Sequence, residues 1–124
     1  MNYYVILYRC LPGQAARVMD EAGDHIRWVT QMIEQKVFLC AGPFINQDGQ
    51  FDDGLCIIRA NSKEEACRAV ESDPFVQNGI RRYEIYHWDY HVDQDGYRIE
   101  FPPELKARWN LDSVTDASNS STRG

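Results

Sequence analysis

The opening strand is announced by its side chains. Residues 3–10, YYVILYRC, are β-branched and aromatic-rich and run into LPG, which predicts a strand followed by a turn. From about residue 14 to residue 35 the period lengthens. Ala15, Val18, Ala22, Ile26, Val29 and Ile33 recur at helical spacing with Met19 and Met32 beside them, predicting one helix that Gly23 weakens without ending. VFLCAGPFI at 37–45 reads as a buried strand, with a bulge or an edge position at Gly42-Pro43. NQDGQFDDG is a polar loop whose Asp-Gly pair predicts a hairpin into the next strand, GLCIIRA at 54–60. NSKEEACRAV opens a second helix: Asn61 or Ser62 caps it, and Glu64 and Glu65 suit its positive end. Residues 81–90, RRYEIYHWDY, alternate as a strand, with Tyr83, Ile85 and His87 on one face and Glu84, Tyr86 and Trp88 on the other.

The resulting order is βαββαβ. Two βαβ units with right-handed crossovers predict an α+β fold of the ferredoxin-like kind, a four-stranded antiparallel sheet with both helices on one face. The opposite face carries apolar and aromatic side chains that also need cover, so a homodimer joined through its sheet faces is expected. The domain is placed at residues 1–90, and residues 91–124 are a C-terminal extension. Within the extension, Tyr97, Ile99, Phe101, Leu105 and Trp109 predict a short extra strand and a helical turn near Pro103. DSVTDASNSSTRG at 112–124 has no apolar pattern and reads as a disordered tail.

A length of 124 residues supports one ordinary core. The net charge of -6 argues against a surface that tracks phosphates, and GLCIIRA lacks the aromatic pattern of RNA-reading strands, so no nucleic-acid partner is expected. Cys10, Cys40, Cys56 and Cys67 form no CxxC pair, which fits reduced core cysteines rather than a zinc or redox motif. MNYYVILYRC lacks a basic start, and no apolar run approaches a membrane span; a cytoplasmic protein without membrane contact is expected.

Few residues invite chemistry. His25 shares the apolar face of the first helix or its edge, where it is either a core histidine bonded to a carbonyl or an acid–base group. ESDPFVQNG at 71–79 places Asp73, Pro74 and Gly79 at the N-cap, first and post-terminal positions of one short turn. That alone explains Asp73. A carboxylate has two oxygens, however, so one can cap the turn while the other accepts a histidine N–H. His87 and His91, with Asp89, Asp93 and Asp95, do not have the spacing of a metal site on a strand, and DQDG lacks the acidic positions of a calcium loop. Arg9, Arg81 and Arg82 lie at strand ends, where each is a solvated residue or a hold for a substrate carboxylate.

Helix-borne His25, AGPF at 41–44, DDGLCIIRANSKEEA at 52–66, DPFVQNGI at 73–80 and YEIYHW at 83–88 occur in that order. Together they resemble the YCII-related family, small proteins with the dimeric α/β-barrel form of the ferredoxin-like fold. The resemblance spans roughly residues 3–88. It implies that His25 and Asp73 form a pair lining a pocket at the sheet edge. It also implies that the "AGP" stretch shapes the wall, Gly42 allowing close backbone approach and Pro43 leaving no N–H to satisfy. Phe75 and Arg9 complete the candidate substrate contacts. One group resembling the family removes chloride from chlorinated hydroxyquinones by acid–base chemistry, and other proteins of the same fold are isomerases, monooxygenases and haem proteins. The expectation is therefore a small-molecule enzyme without metal or cofactor, of lyase, isomerase or dehydrochlorinase type, acting on a cyclic or enolic substrate. The alternative is a non-catalytic ligand-binding or interaction module on the same scaffold.

Overall fold

Strand β1, Asn2–Cys10, buries every second side chain: Tyr4, Ile6 and Tyr8 face the helices, and Tyr3, Val5, Leu7 and Arg9 lie on the other face. The computed structural model describes residues 1–111. Strand β1 is central, paired antiparallel with β3 (Phe51–Ala60) and β4 (Arg81–Trp88), while β2 (Phe38–Ile45) pairs antiparallel with β3. The order β2-β3-β1-β4 is that of the expected ferredoxin-like sheet. Helices α1 (Ala15–Asp20) and α2 (Ala22–Glu34) connect β1 to β2, and α3 (Lys63–Glu71) and the single turn α4 (Pro74–Gln77) connect β3 to β4. Ile6, Ile58, Ala66 and Val70 centre one buried cluster, and Val18, Phe75 and Ile80 centre a second. Ser62 caps α3, its hydroxyl accepting the Glu65 N–H at 3.2 Å.

Three local expectations are corrected. The first helix is two helices, broken at Glu21, whose φ of -110° and ψ of 13° leave the helical region. The break turns the buried stripe of the second piece by roughly one residue step, ~100°. Trp28 and Met32 go inward, while Ile26 and Ile33 stay about 60% and 59% exposed. Strand β2 is not buried: it is a sheet edge with Leu39, Phe44 and Ile45 open, and register shifts flank Cys40–Pro43. Its continuous apolar run reads as two covered faces, but a single chain leaves both largely uncovered. Strand β3 begins at Phe51 rather than residue 54. The hairpin closes earlier, where the Asn46 side chain accepts the N–H groups of Asp48 and Gln50, both at 2.9 Å, and Gly49 takes a φ of +75°.

The chain divides into two compact units, Met1–Trp88 and a second beginning at Asp89. The second unit contains a hairpin of β5 (Val92–Asp93) and β6 (Gly96–Tyr97), then helix α5 (Pro103–Trp109). Asp93 accepts hydrogen bonds from Tyr90 and Arg98, and Tyr97 meets Phe101 edge-on. The tail expected to be disordered lies outside the described residues. Among the described residues no helix is long and apolar enough to cross a membrane.

Candidate active site

The DPF turn holds its aspartate rigidly. Asp73 is extended at the N-cap of α4, Pro74 follows in the first helical turn, and Gly79 takes a φ of +70° beyond the end. Asp73 Oδ1 accepts the Phe75 N–H at 2.9 Å. The same oxygen meets His25 Nδ1, also at 2.9 Å. Cap and histidine contact thus share one oxygen, where a division between the two was expected. Asp73 Oδ2 is buried without a hydrogen-bond partner among the described residues.

Asp73 is wholly buried and the His25 side chain about 19% exposed, so the pair is shielded at one end and open at the other. A carboxylate can only accept, so His25 donates Nδ1–H and carries its lone pair on Nε2 when neutral. The imidazole stacks on Phe75 with centroids 4.3 Å apart and planes 10° apart, and Trp28 flanks it at 5.7 Å. Trp28 is itself pinned, its indole N–H donating to Ser72 Oγ at 2.8 Å. Two aromatic rings and one carboxylate therefore fix the ring orientation of His25, which a group transferring protons needs.

His25, Trp28 and Phe75 open on a cavity of about 300 Å³ at the β2 edge, lined also by Tyr8, Pro43 and Arg81; Asp73, expected to line it with His25, does not. Gly42 also lines it. The reason for a glycine there differs from the expected one, because a Cβ on Gly42 would meet nothing within 4 Å. The crowded glycine is Gly54 across the ladder, where a Cβ would come within 3.2 Å of the Gly42 carbonyl and 3.5 Å of Arg81 Nη1.

Arg9 does not line the cavity. It lies on the opposite sheet face near Asp53, at 3.6 Å, and Glu84, at 3.9 Å. The arginine that does line it is Arg81, whose Nε donates to the Asp52 carbonyl at 2.8 Å. Burial lowers the pKa of its guanidinium from the ordinary value, against the favourable charge of Asp73. Burial raises the Tyr8 phenol far above its usual range, with Cys56 and Asp73 adding to the effect. Its hydroxyl has no hydrogen-bond partner of ordinary geometry among the described residues. The Cys56 thiol is pushed up to about 12, chiefly by burial, which keeps it from acting as a thiolate near neutral pH. His87 stacks on Tyr4 with centroids 5.0 Å apart, and His91 pairs with Asp89 at 2.7 Å. No group of three metal-ligating side chains forms among the described residues.

Sequence reasoning alone undervalued Arg81, although a signal was present. Alternation along β4 places Arg81 on the face of Tyr83 and Ile85, toward the helices, whereas the register pairs Arg9 with Arg82 on the other face.

The family model for the YCII-related domain matches residues 1–89. No curated protein matches the chain by sequence. Among solved structures, the chain is similar to the 5-chloro-2-hydroxyhydroquinone dehydrochlorinase of Burkholderia phenoliruptrix AC1100, determined with 2,5-dihydroxybenzoquinone. The TM-score is 0.63 at 21% identity, covering 73% of this chain and 95% of the other, a likeness of fold.

Proposed function

Because the chain belongs to the YCII-related family, we propose that it is a small-molecule enzyme working by cofactor-independent acid–base chemistry on a cyclic or enolic substrate. The observation that carries this reading is the 2.9 Å contact of His25 Nδ1 with buried Asp73, at the wall of an apolar cavity. Nε2 of His25 takes a proton from a C–H or O–H of the ligand. Asp73 holds the imidazole in the right tautomer and stabilises the imidazolium that forms. The electron pair left on the ligand either expels a leaving group, as in a dehydrochlorination, or collects a proton from the imidazolium at another atom, as in an isomerisation. A similar fold in a protein named as a dehydrochlorinase supports the first outcome.

The test is turnover of a panel of chlorinated hydroxyhydroquinones and cyclic enols, read as chloride release and as deuterium exchange from D₂O. The expected result is a loss of about 10²-fold or more in both His25→Ala and Asp73→Asn, with the fold kept. Undiminished turnover in either variant refutes the dyad.

The sheet face away from the helices supports a homodimer. Val5, Leu7, Leu55 and Tyr86 give it an apolar patch, and Ile45, 71% exposed, lies at the β2 edge. Sedimentation is expected to give a dimer for the wild type and a monomer for Leu7→Glu; a monomeric wild type ends this part of the reading. The four unpaired cysteines suit a reducing compartment, which supports placing the enzyme in the cytoplasm.

A further inference from the structure

Among the residues lining the cavity there is one permanent cation and no carboxylate. Arg81 is the first residue of β4 and only 5% exposed. Its Nε–H to the Asp52 carbonyl fixes the plane of the guanidinium, and its central carbon lies 4.8 Å over the Phe75 ring. Neither Nη atom forms a hydrogen bond or an ion pair with a described residue. Nη1 lies beside Gly54, 3.5 Å from where a Cβ there would stand.

With Nε satisfied and Asp73 near, it is the two Nη groups of a residue only 5% exposed that lack acceptors, which is costly unless a ligand supplies them. Arg81 carries a fork of N–H donors matched to an oxygen anion. The remaining wall is largely apolar, with the rings of Trp28, Phe38 and Pro43 among its side chains, and the volume of about 300 Å³ suits one ring. Phe75 touches both working groups, since it stacks on His25 and lies under Arg81.

Resting on the dyad reading above, we propose that Arg81 is the specificity residue of the cavity: it selects a planar, single-ring ligand bearing an anionic oxygen, a phenolate, enolate or carboxylate, held on its two Nη groups. In the proton-transfer step, the charge that builds on that oxygen as Nε2 of His25 takes the proton is then met by a fixed cation in a water-poor site.

The experiment uses 4-nitrophenol, whose phenol and phenolate forms differ in colour, with benzoate and nitrobenzene as the carboxylate and neutral arms. Affinities are measured for the wild type, Arg81→Gln, Arg81→Lys and His25→Asn, with thermal unfolding alongside. The wild type is expected to bind the phenolate at least about tenfold more tightly than the phenol, and more tightly than nitrobenzene. The preference should fall below about twofold in Arg81→Gln and be partly kept in Arg81→Lys, which retains charge without the fork. A stronger response to benzoate than to phenolate identifies the carboxylate as the favoured anion. His25→Asn should keep the anion preference while losing turnover, which separates this inference from the dyad. Equal wild-type affinity for the two forms, no binding of the phenolate, or a preference unchanged in folded Arg81→Gln would overturn it.

Discussion

Replacing Asp73 in two ways separates its structural contribution from its chemical one. Its Oδ1 receives the Phe75 N–H and faces His25 Nδ1, both at 2.9 Å, in a fully buried position. In Asp73→Ala the turn loses its cap, worth about 1 kcal/mol, and the charged contact with His25, worth about 1.5–3 kcal/mol. Removing a buried carboxylate returns part of this, because its desolvation cost disappears. The net expectation is a loss of roughly 1.5–3 kcal/mol, or a fall in melting temperature of about 6–20 °C for a domain of this size. Asp73→Asn keeps a carbonyl oxygen able to accept both N–H groups, so its stability should stay within about 1 kcal/mol of the wild type. Urea unfolding followed by far-UV circular dichroism measures both. Turnover should be lost in both variants despite their different stabilities, since the charge that stabilises the imidazolium is gone from each. An asparagine variant as unstable as the alanine one, or an alanine variant within about 0.5 kcal/mol of the wild type, would refute the shared-oxygen reasoning.

The two glycines at the cavity edge should respond oppositely: Gly54→Ala forces a Cβ within 3.2 Å of the Gly42 carbonyl and should cost about 1–3 kcal/mol, while Gly42→Ala, which meets nothing within 4 Å, should be at least as stable as the wild type in the same unfolding assay. In the second unit, Asp93 has its pKa lowered from 3.8 to about 2 by its bonds from Tyr90 and Arg98. The stabilisation this reports is complete above pH 3.8 and lost as pH falls through about 2, so the Arg98 side-chain N–H resonance should keep its bonded position until that window and shift within it. Alkylation at mildly alkaline pH should modify exposed Cys40 first and leave buried Cys56, its thiol pushed up to about 12, intact until unfolding, as peptide mass mapping would show.

The sheet was legible from residue patterns because alternation survives wherever one face is covered, as in Tyr4, Ile6 and Tyr8. The break at Glu21 was not: Gly23, two residues on, reads as weakening a helix without ending it, and no side chain caps either helix there. Its consequence, the exchange of Ile26 and Ile33 for Trp28 and Met32 in the core, followed from that one turn of phase. The irregularity and edge position of β2 were legible at Gly42-Pro43, but its burial was misread, because an apolar run is the same string whether its cover comes from its own chain or from elsewhere. At the site, the DPF turn was readable as a cap from its own residues, and His25 came to it only through a long-range contact that the family resemblance anticipated. Arg9 and Arg81 were indistinguishable as strand-end arginines until the period of two was carried one residue past the apolar run.

The central claim is that Asp73 holds His25 with its lone pair on Nε2, at the cavity. The ¹⁵N spectrum of ring-labelled histidine, at a pH where the imidazole is neutral, tests it most directly. The account predicts that His25 carries its proton on Nδ1 and leaves Nε2 unprotonated. A proton found on Nε2 of His25 in the wild-type protein would contradict it.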